Sequence, residues 1–266
     1  MSLEIVDVHK LFLHEEIVAR NLEKLKASFT RCKILSNPIF VDTNTNVVLD
    51  GTHRVKCFQE LGFRYILAAM VNYRDERIKL KNWYRILNGD ATMIRSLTLD
   101  FGFRKVSTTK MDLEKNTGGN LIVAVNGELF IYDGSDDIYE KYCYLREYEK
   151  ALCEEEIHID YVHEDEALAA YREGKNIIIT PKLTKDDVVF YATRGKVFPP
   201  KTTRHIFPLR PLFLDIPLTY FMDRGKHKSE IDNIISRYLL SKMYVKTKGK
   251  TTIDRYYEEE FLALFL

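Results

Sequence analysis

The stretch Val48-Leu49-Asp50-Gly51-Thr52-His53-Arg54 decides how the first third of this chain folds. In it an apolar strand ends, a glycine permits a turn, and a helix begins with a hydroxyl that can cap it. The backbone N–H groups at a helix N-terminus, together with the helix dipole, attract anions. His53 and Arg54 add side-chain donors, and an arginine can hold a phosphate through two hydrogen bonds. The stretch predicts a phosphate-binding turn, and an ordinary capped helix with a solvated arginine is the alternative.

The segments on either side of this turn predict a compact α+β unit. Residues 38–42 and 46–49 are mostly apolar and flank a Thr-Asn-Thr-Asn turn, which is typical of a β-hairpin. The helix that begins at Thr52 is predicted to end at Gly62, and a strand follows over residues 65–73. Upstream, an apolar stripe at helical spacing predicts a helix over residues 15–29.

The rest of the chain predicts a second mixed α/β domain and a C-terminal extension. A hairpin is expected around Asn126-Gly127, followed by three helices and a buried strand up to Gly195. The amphipathic run at 231–243 predicts a mainly helical C-terminal region, within which the sequence leaves both helix and strand open for residues 253–266. We therefore predict an α+β protein with an active-site cleft between its first two domains. The predicted domain limits are 1–85, 86–218 and 219–266.

Composition and charge narrow the class of protein. The 266 residues are 45% hydrophobic, which excludes long disorder, and 40 Lys/Arg against 39 Asp/Glu give a net charge of +1. A balance this close to zero argues against a protein that binds nucleic acid mainly through its backbone. The balance is uneven along the chain, at +4 for residues 1–85, −5 for 86–215 and +2 for 216–266. The basic first third predicts an anionic ligand held there.

Several functional classes lack their sequence signatures. The four cysteines form no CxxC pair, so reduced thiols in a cytoplasmic protein are expected rather than disulfides or a zinc site. No secretory signal and no apolar run of about 20 residues is present, so no membrane partner is expected. The P-loop, GxGxxG, HExxH and GxSxG motifs are absent, which excludes a P-loop or protein-kinase mechanism of phosphoryl transfer.

A second candidate site is the segment Pro199-Pro200-Lys201-Thr202-Thr203-Arg204-His205. Two prolines stiffen its entry, and five consecutive hydrogen-bond donors follow between apolar residues. This pattern suits the recognition of phosphate or carboxylate oxygens, although a basic surface loop is the plain alternative.

Two further features carry weaker signals. Glu15, in His14-Glu15-Glu16, could act as a general base, but a carboxylate before a helix is more often a dipole partner. Trp83 is the sole tryptophan, and it could line a pocket or pack in a domain interface.

The hairpin, the Asp50–Arg54 turn and the following helix resemble the core of the ParB/sulfiredoxin superfamily, which places a Gly-x-x-Arg segment over nucleotide phosphates. Thr52 stands where sulfiredoxins carry their catalytic cysteine, and the acidic middle third does not resemble a ParB DNA-binding domain. Residues 1–218 are more similar to the free L-serine kinases of this superfamily, both the archaeal ADP-dependent type and the SbnI type of staphyloferrin B siderophore biosynthesis. The Lys201–His205 segment is the most specific part of that similarity.

The resemblance implies a role for each candidate residue. Glu15 would take the proton of the serine hydroxyl, and Asp50 would support the reacting centre. Phosphate groups would be bound by Gly51, Thr52, His53 and Arg54. The amino acid and its phosphate would be held by Lys201, Thr202, Thr203, Arg204 and His205, with Trp83 lining the serine pocket.

The resulting prediction is a cytoplasmic L-serine kinase that makes O-phospho-L-serine, supplying siderophore biosynthesis. ATP is the expected donor and ADP the alternative, with Mg²⁺ held largely by phosphates and water; its protein ligands are unassigned. The rival hypothesis is a ParB-like DNA-binding regulator that responds to nucleotide or haem. The seven histidines and four cysteines are too scattered to choose haem ligands.

Overall fold

The computed structural model of the protein describes residues 1–107, 119–222, 227–254 and 256–266. The chain divides into two compact units. Unit 1 comprises Met1–Lys79, Val188–Val197 and His205–Leu266, and unit 2 comprises Leu80–Asp187 and Phe198–Arg204. The boundaries of these units fall after residues 79, 187, 197 and 204, which differ from the predicted domain limits at 85 and 218. Those limits, and the predicted cleft, stay predictions.

Unit 1 is built on a four-stranded mixed sheet in the order β1-β5-β3-β4. Its strands are β1 (Ser2–Asp7), β3 (Ile39–Asp42), β4 (Val48–Asp50) and β5 (Tyr65–Val71). Strands β3 and β4 form the predicted hairpin, and β3 runs parallel to β5. All seven side chains of β5 are buried, as expected for a central strand covered on both faces.

Unit 1 has two helices beside this sheet, α1 (Ala19–Cys32) and α2 (Thr52–Glu60); α2 packs against β3 and β5, and α1 packs against α2. The prediction that α1 starts at residue 15 is wrong because tertiary contacts hold the preceding segment extended. Phe12 pairs with Val47 as an isolated bridge, and the Val18 N–H donates to Nε2 of His53 at 3.0 Å. Helix α1 thus begins four residues beyond Glu15, which lies in the connecting segment.

The C-terminal part of unit 1 is only partly helical, contrary to the prediction. Helix α7 (Lys228–Leu240) is followed by strands β16 (Tyr244–Lys248), β17 (Thr251–Thr252), β18 (Tyr256–Tyr257) and β19 (Phe261–Phe265). Strand β19 pairs antiparallel with β16 and parallel with β14 (Leu209–Leu212), and these three strands form one sheet with β19 in the middle. The strand conformation is stabilised here by pairing with segments far away in sequence. Such pairing cannot be inferred from the helical periodicity of a local stretch. Short strands β2 (Ile34–Leu35) and β15 (Ile216–Pro217) also pair.

Unit 2 is an antiparallel six-stranded sheet in the order β11-β7-β12-β9-β10-β8. Its strands are β7 (Tyr84–Asn88), β8 (Arg104–Val106), β9 (Leu121–Val125), β10 (Glu128–Tyr132), β11 (His158–Val162) and β12 (Asn176–Ile179). Its helices are α3 (Ala91–Asp100), α4 (Ile138–Glu154) and α5 (Glu164–Arg172). The predicted hairpin at Asn126-Gly127 is confirmed.

Three elements lie where the chain passes between the units in sequence, namely β6 (Lys79–Asn82), α6 (Lys185–Ala192) and β13 (Thr203–Ile206). Two 3-10 turns, at Val8–Lys10 and Leu218–Phe221, complete the structure. In the described parts of the chain, every helix is too short or too polar to cross a membrane.

Candidate functional site

The turn at Gly51 is formed as predicted, and it requires glycine. Gly51 has φ +103°, in the left-handed region. A Cβ atom there would lie 2.6 Å from Cγ2 of Ile39 and 2.9 Å from Nε of Arg54. Gly51 occupies the N-cap position of α2, and among the described residues no side chain accepts a hydrogen bond from the N–H groups of the first turn as a cap. Thr52 is therefore the first helical residue rather than the predicted cap, and the N-terminus of α2 offers N–H groups to an anion.

Asp50 is held between two arginines of unit 1. Its Oδ1 accepts a hydrogen bond from Nη2 of Arg54 at 3.1 Å, and its Oδ2 accepts one from Nη1 of Arg210 at 2.5 Å. Arg54 also donates through Nη1 to the carbonyls of Asn37 at 3.0 Å and Pro38 at 2.9 Å. The turn and the hairpin are thereby joined by charge-assisted bonds that fix the carboxylate.

Arg210 was not predicted from the sequence, yet it occupies the centre of this cluster. It is 5% exposed, and its Nε donates to Oε1 of Glu259 at 2.5 Å. Its guanidinium lies 4.8 Å from the ring centroid of Phe40 and 5.2 Å from that of Phe207. Burial alone would lower the pKa of Arg210, but the carboxylates of Asp50 and Glu259 outweigh burial and raise it.

Glu15 lies beside two histidines whose orientations are fixed. Nδ1 of His14 is 2.5 Å from the Val48 carbonyl, which can only accept, so Nδ1 carries a proton. Nε2 of His14 is 4.0 Å from Oε1 of Glu15. Burial lowers the pKa of His53, against the opposing charge of Glu15. Since Nε2 of His53 accepts the Val18 N–H, neutral His53 carries its proton on Nδ1.

His205 belongs to the same unit and contacts this group. Its ring lies edge-on to that of His14, with centroids 5.4 Å apart. Its Nε2 is 2.6 Å from the hydroxyl of Tyr73, whose own N–H donates to Oδ1 of Asp42 at 3.0 Å. Burial, followed by the charge of Asp42, raises the pKa of Tyr73, so its phenol stays protonated.

Trp83 and residues 201–204 form a second group, in unit 2. The indole N–H of Trp83 donates to the Thr203 carbonyl at 3.1 Å. Nζ of Lys201 lies 4.5 Å from the Trp83 ring centroid, and the Arg204 guanidinium lies 5.7 Å from it. Thr202 is fully buried and donates its hydroxyl to the Pro199 carbonyl at 2.8 Å. The indole N–H of Trp83 is therefore engaged by the backbone, its ring carries the cations of Lys201 and Arg204, and the Thr202 hydroxyl holds the loop rather than presenting a donor.

The structure thus distributes the predicted residues over two groups. Unit 1 brings together Glu15, the Asp50–Arg54 turn and His205, whereas unit 2 brings Trp83 to residues 201–204. The sequence did contain one signal for Arg210, a charged residue within the otherwise apolar run from Phe207 to Leu214. Glu259 sits among three consecutive glutamates, where nothing marks it.

The described residues do not provide a resident metal site. No group of three or more His, Cys, Asp or Glu side chains in the described chain could hold a metal ion. Asp50, the predicted carboxylate nearest the phosphate turn, gives one oxygen to each of two arginines. This donor set suits a guanidinium rather than Mg²⁺, which prefers several free oxygen ligands.

Several relatives resemble the chain in sequence, among them proteins named as L-serine kinases, and no protein-family model matches it. An ATP-dependent L-serine kinase of Staphylothermus marinus is 33% identical over 80% of this chain and 89% of its own length. An ADP-dependent L-serine kinase of Thermococcus kodakarensis is 25% identical over 80% of this chain and 90% of its own length.

Several solved structures share the fold, among them a free serine kinase and SbnI. A free serine kinase in complex with ADP, studied as a glutamate-to-alanine variant, has a TM-score of 0.70 at 22% identity, covering 84% of this chain and 95% of its own. SbnI of Staphylococcus aureus with a C-terminal truncation has a TM-score of 0.71 at 17% identity, covering 90% and 95%. The sequence match to the Staphylothermus enzyme extends over most of both chains. The chain therefore belongs to the family of free L-serine kinases, as its resemblance to them predicted.

Proposed function

We propose that this protein transfers the terminal phosphoryl group of ATP to free L-serine and releases O-phospho-L-serine. The observation that carries the proposal is its relationship to an ATP-dependent L-serine kinase along most of both chains. The glycine-capped turn at Gly51 adds physical support, because it presents helix N–H groups suited to phosphate. ADP is the alternative donor, since a more distant relative is ADP-dependent.

The proposed reaction is an in-line displacement at phosphorus. The serine hydroxyl oxygen forms a bond to the γ-phosphorus, and the bond from that phosphorus to the β–γ bridging oxygen breaks. ADP leaves with the electron pair, and the hydroxyl proton passes to the Glu15 carboxylate. Such a reaction depends mainly on positioning and on donors around the transferred group. Mg²⁺ is expected to enter with the nucleotide as part of the substrate.

Glu15 is the proposed base, and its surroundings support that role. Its side chain is 20% exposed, so a substrate hydroxyl can reach it. The extended segment that carries it is tied to α2 by the bond from the Val18 N–H to His53. The base is therefore fixed relative to the phosphate-binding turn by the chain itself, which is what proximity catalysis requires.

The proposed phosphate donors are the first N–H groups of α2, Nδ1–H of His53 and the guanidinium of Arg54. His53 is suited to donate through Nδ1 because its Nε2 is already an acceptor. Asp50 fixes Arg54 and does not itself bind phosphate. We propose that His205 recognises the amino-acid substrate in unit 1. Trp83, Lys201, Thr203 and Arg204 are the proposed substrate residues of unit 2, and Thr202 holds their loop in place.

The test is an assay of the purified protein with L-serine, Mg²⁺ and either ATP or ADP, followed by phosphorus NMR. We expect a phosphoserine signal, with faster turnover from ATP. Faster turnover from ADP would reverse the donor assignment, and no phosphoserine from either nucleotide would refute the proposal.

Variants of neighbouring glutamates test the base. Glu15→Gln is expected to lose more than 100-fold in kcat while binding the nucleotide normally by calorimetry. Glu16→Gln, one residue along the same segment, is the matched control and should stay within about threefold of the unmodified protein. Full activity of Glu15→Gln would remove Glu15 as the base.

The supply of phosphoserine to siderophore biosynthesis, the cytoplasmic location, and haem or DNA binding stay predictions. A salt-dependent shift of DNA on a native gel would favour the regulator hypothesis.

A further inference from the structure

A chain of ionic contacts links the C-terminal segment to the proposed phosphate-binding turn. Oε1 of Glu259 accepts from Nε of Arg210 at 2.5 Å, and Nη1 of Arg210 donates to Oδ2 of Asp50 at 2.5 Å. Oδ1 of Asp50 in turn accepts from Nη2 of Arg54 at 3.1 Å. Two carboxylates and two guanidiniums therefore alternate between Glu259 and Arg54, and their formal charges cancel.

Arg210 has little freedom to move within this chain of contacts. It is 5% exposed, and Glu259 is 4% exposed. The guanidinium lies close to Phe40 and Phe207, whose rings stack with centroids 3.8 Å apart. A guanidinium in such surroundings needs both carboxylates to balance its desolvation. The orientation of Arg210, and hence of the Asp50 carboxylate, therefore depends on Glu259.

The backbone around Glu259 is fixed by contacts with two other segments. The Gly249 N–H donates to the Glu260 carbonyl at 2.9 Å, and the Phe261 N–H donates to the Pro208 carbonyl at 3.1 Å. A Cβ atom at Gly249 would lie 1.6 Å from the Glu259 carbonyl oxygen. Only glycine fits there, so the observed position of Glu259 requires glycine at residue 249.

We propose that Glu259 is a positioning residue that acts through Arg210 on Asp50, so that residues 256–266, which carry Glu259 and strand β19, contribute to the activity of the kinase. Asp50 in turn fixes Arg54 beside the turn at Gly51. The inference rests on the proposed function, because the positioned groups are those assigned to phosphate binding and the reacting centre. It gives a role to a C-terminal segment for which the sequence indicated none.

The test compares two adjacent glutamates and one remote glycine. Glu259→Gln keeps the shape and one hydrogen-bond acceptor but removes the charge. We expect a tenfold or greater loss of kcat, with the KM for L-serine changed less than threefold. Glu260→Gln is the matched control, since Glu260 is exposed one residue away, and it should retain the activity of the unmodified protein.

Gly249→Ala displaces the backbone of Glu259, and thereby disturbs its contact with Arg210, while leaving all four charged side chains intact. We expect the same pattern of lowered kcat and preserved KM, and no further loss in the Gly249→Ala/Glu259→Gln double variant. Circular dichroism and thermal unfolding of each variant establish the folded fraction, and kcat is expressed per folded molecule.

Three results would overturn the inference: a kcat for Glu259→Gln within twofold of the unmodified protein, an equal loss in Glu260→Gln, or full additivity in the double variant. If the unmodified protein makes no phosphoserine, the proposed function fails as well. If it makes phosphoserine and Glu259→Gln does so equally fast, only the positioning role fails.

Discussion

Replacing Arg210 by methionine tests whether the buried ionic cluster holds unit 1 together. Methionine fills much of the same space against Phe40 and Phe207, so the change removes charge more than volume. Asp50 keeps Arg54 as a partner, at 3.1 Å. Glu259 is 4% exposed and loses the arginine that donates to it and balances its charge. Removing one partner of a buried ion pair costs about 3–5 kcal/mol, so we expect a loss of that size in the free energy of unfolding.

Urea unfolding followed by circular dichroism measures this loss. With a urea dependence of about 2 kcal/mol per molar, a cost of about 4 kcal/mol moves the midpoint down by roughly 2 M. The double variant Arg210→Met/Glu259→Leu separates the charge from the packing. It also removes the buried carboxylate that Arg210→Met leaves without its arginine. It should recover most of the stability, because replacing both members of a buried ion pair by apolar groups often leaves the free energy of unfolding unchanged.

Two outcomes would contradict this reasoning. A loss below about 1 kcal/mol in Arg210→Met would mean that Glu259 reaches water or another cation without cost. A double variant as unstable as the single one would mean that the packing of Arg210, rather than its charge, supports the unit.

Three other predictions concern single residues. Gly51→Ala should lose about 2–4 kcal/mol of stability, from left-handed strain and the clash with Ile39, together with nucleotide affinity measured by calorimetry; unchanged affinity would contradict the phosphate-turn assignment. Burial lowers the pKa of His53 in the folded protein. As the pH drops below about 6.5, His53 is therefore protonated more fully in the unfolded chain than in the folded one, and the free energy of unfolding decreases. His53→Gln should make the urea midpoint fall less between pH 7 and pH 5. Burial raises the pKa of the Cys57 thiol to about 11, so iodoacetamide at pH 8 should modify exposed Cys32 in the folded protein and spare Cys57, as read by mass spectrometry.

The first third of the fold was predictable because local signals agree with tertiary structure there. The Thr-Asn-Thr-Asn turn, the apolar strands and the glycine before Thr52 each favour the conformation that the chain adopts. The start of α1 was not predictable, since residues 15–18 have helical periodicity but are held extended by contacts with the hairpin and His53. Such contacts come from segments about 35 residues away, and a local pattern does not register them.

The candidate site was predictable only in part, for a related reason. Asp50 and His205 stood out in their sequence motifs and Glu15 through the family resemblance, and all three belong to one compact unit. Arg210 and Glu259 became visible only once β14 and β19 were paired side by side. Their partnership joins residues 49 positions apart. The apolar run around Arg210 indicates that Arg210 is buried but not which carboxylates it contacts, and the charge of Glu259 is unremarkable among three consecutive glutamates. Tyr73 and Asp42 escaped notice likewise, because the hydrogen bonds of Tyr73 with Asp42 and with His205 are purely tertiary.

The measurement that tests the central claim most directly follows an oxygen isotope through the reaction. L-Serine labelled with ¹⁸O in its hydroxyl is incubated with the protein, Mg²⁺ and ATP, and the O-phosphoserine is analysed by mass spectrometry. If the serine oxygen attacks the γ-phosphorus, the product retains the label as the bridging oxygen, and one ADP appears for each phosphoserine. Phosphoserine without the label, or ADP formed without phosphoserine, would contradict the assignment of this protein as a kinase of free L-serine.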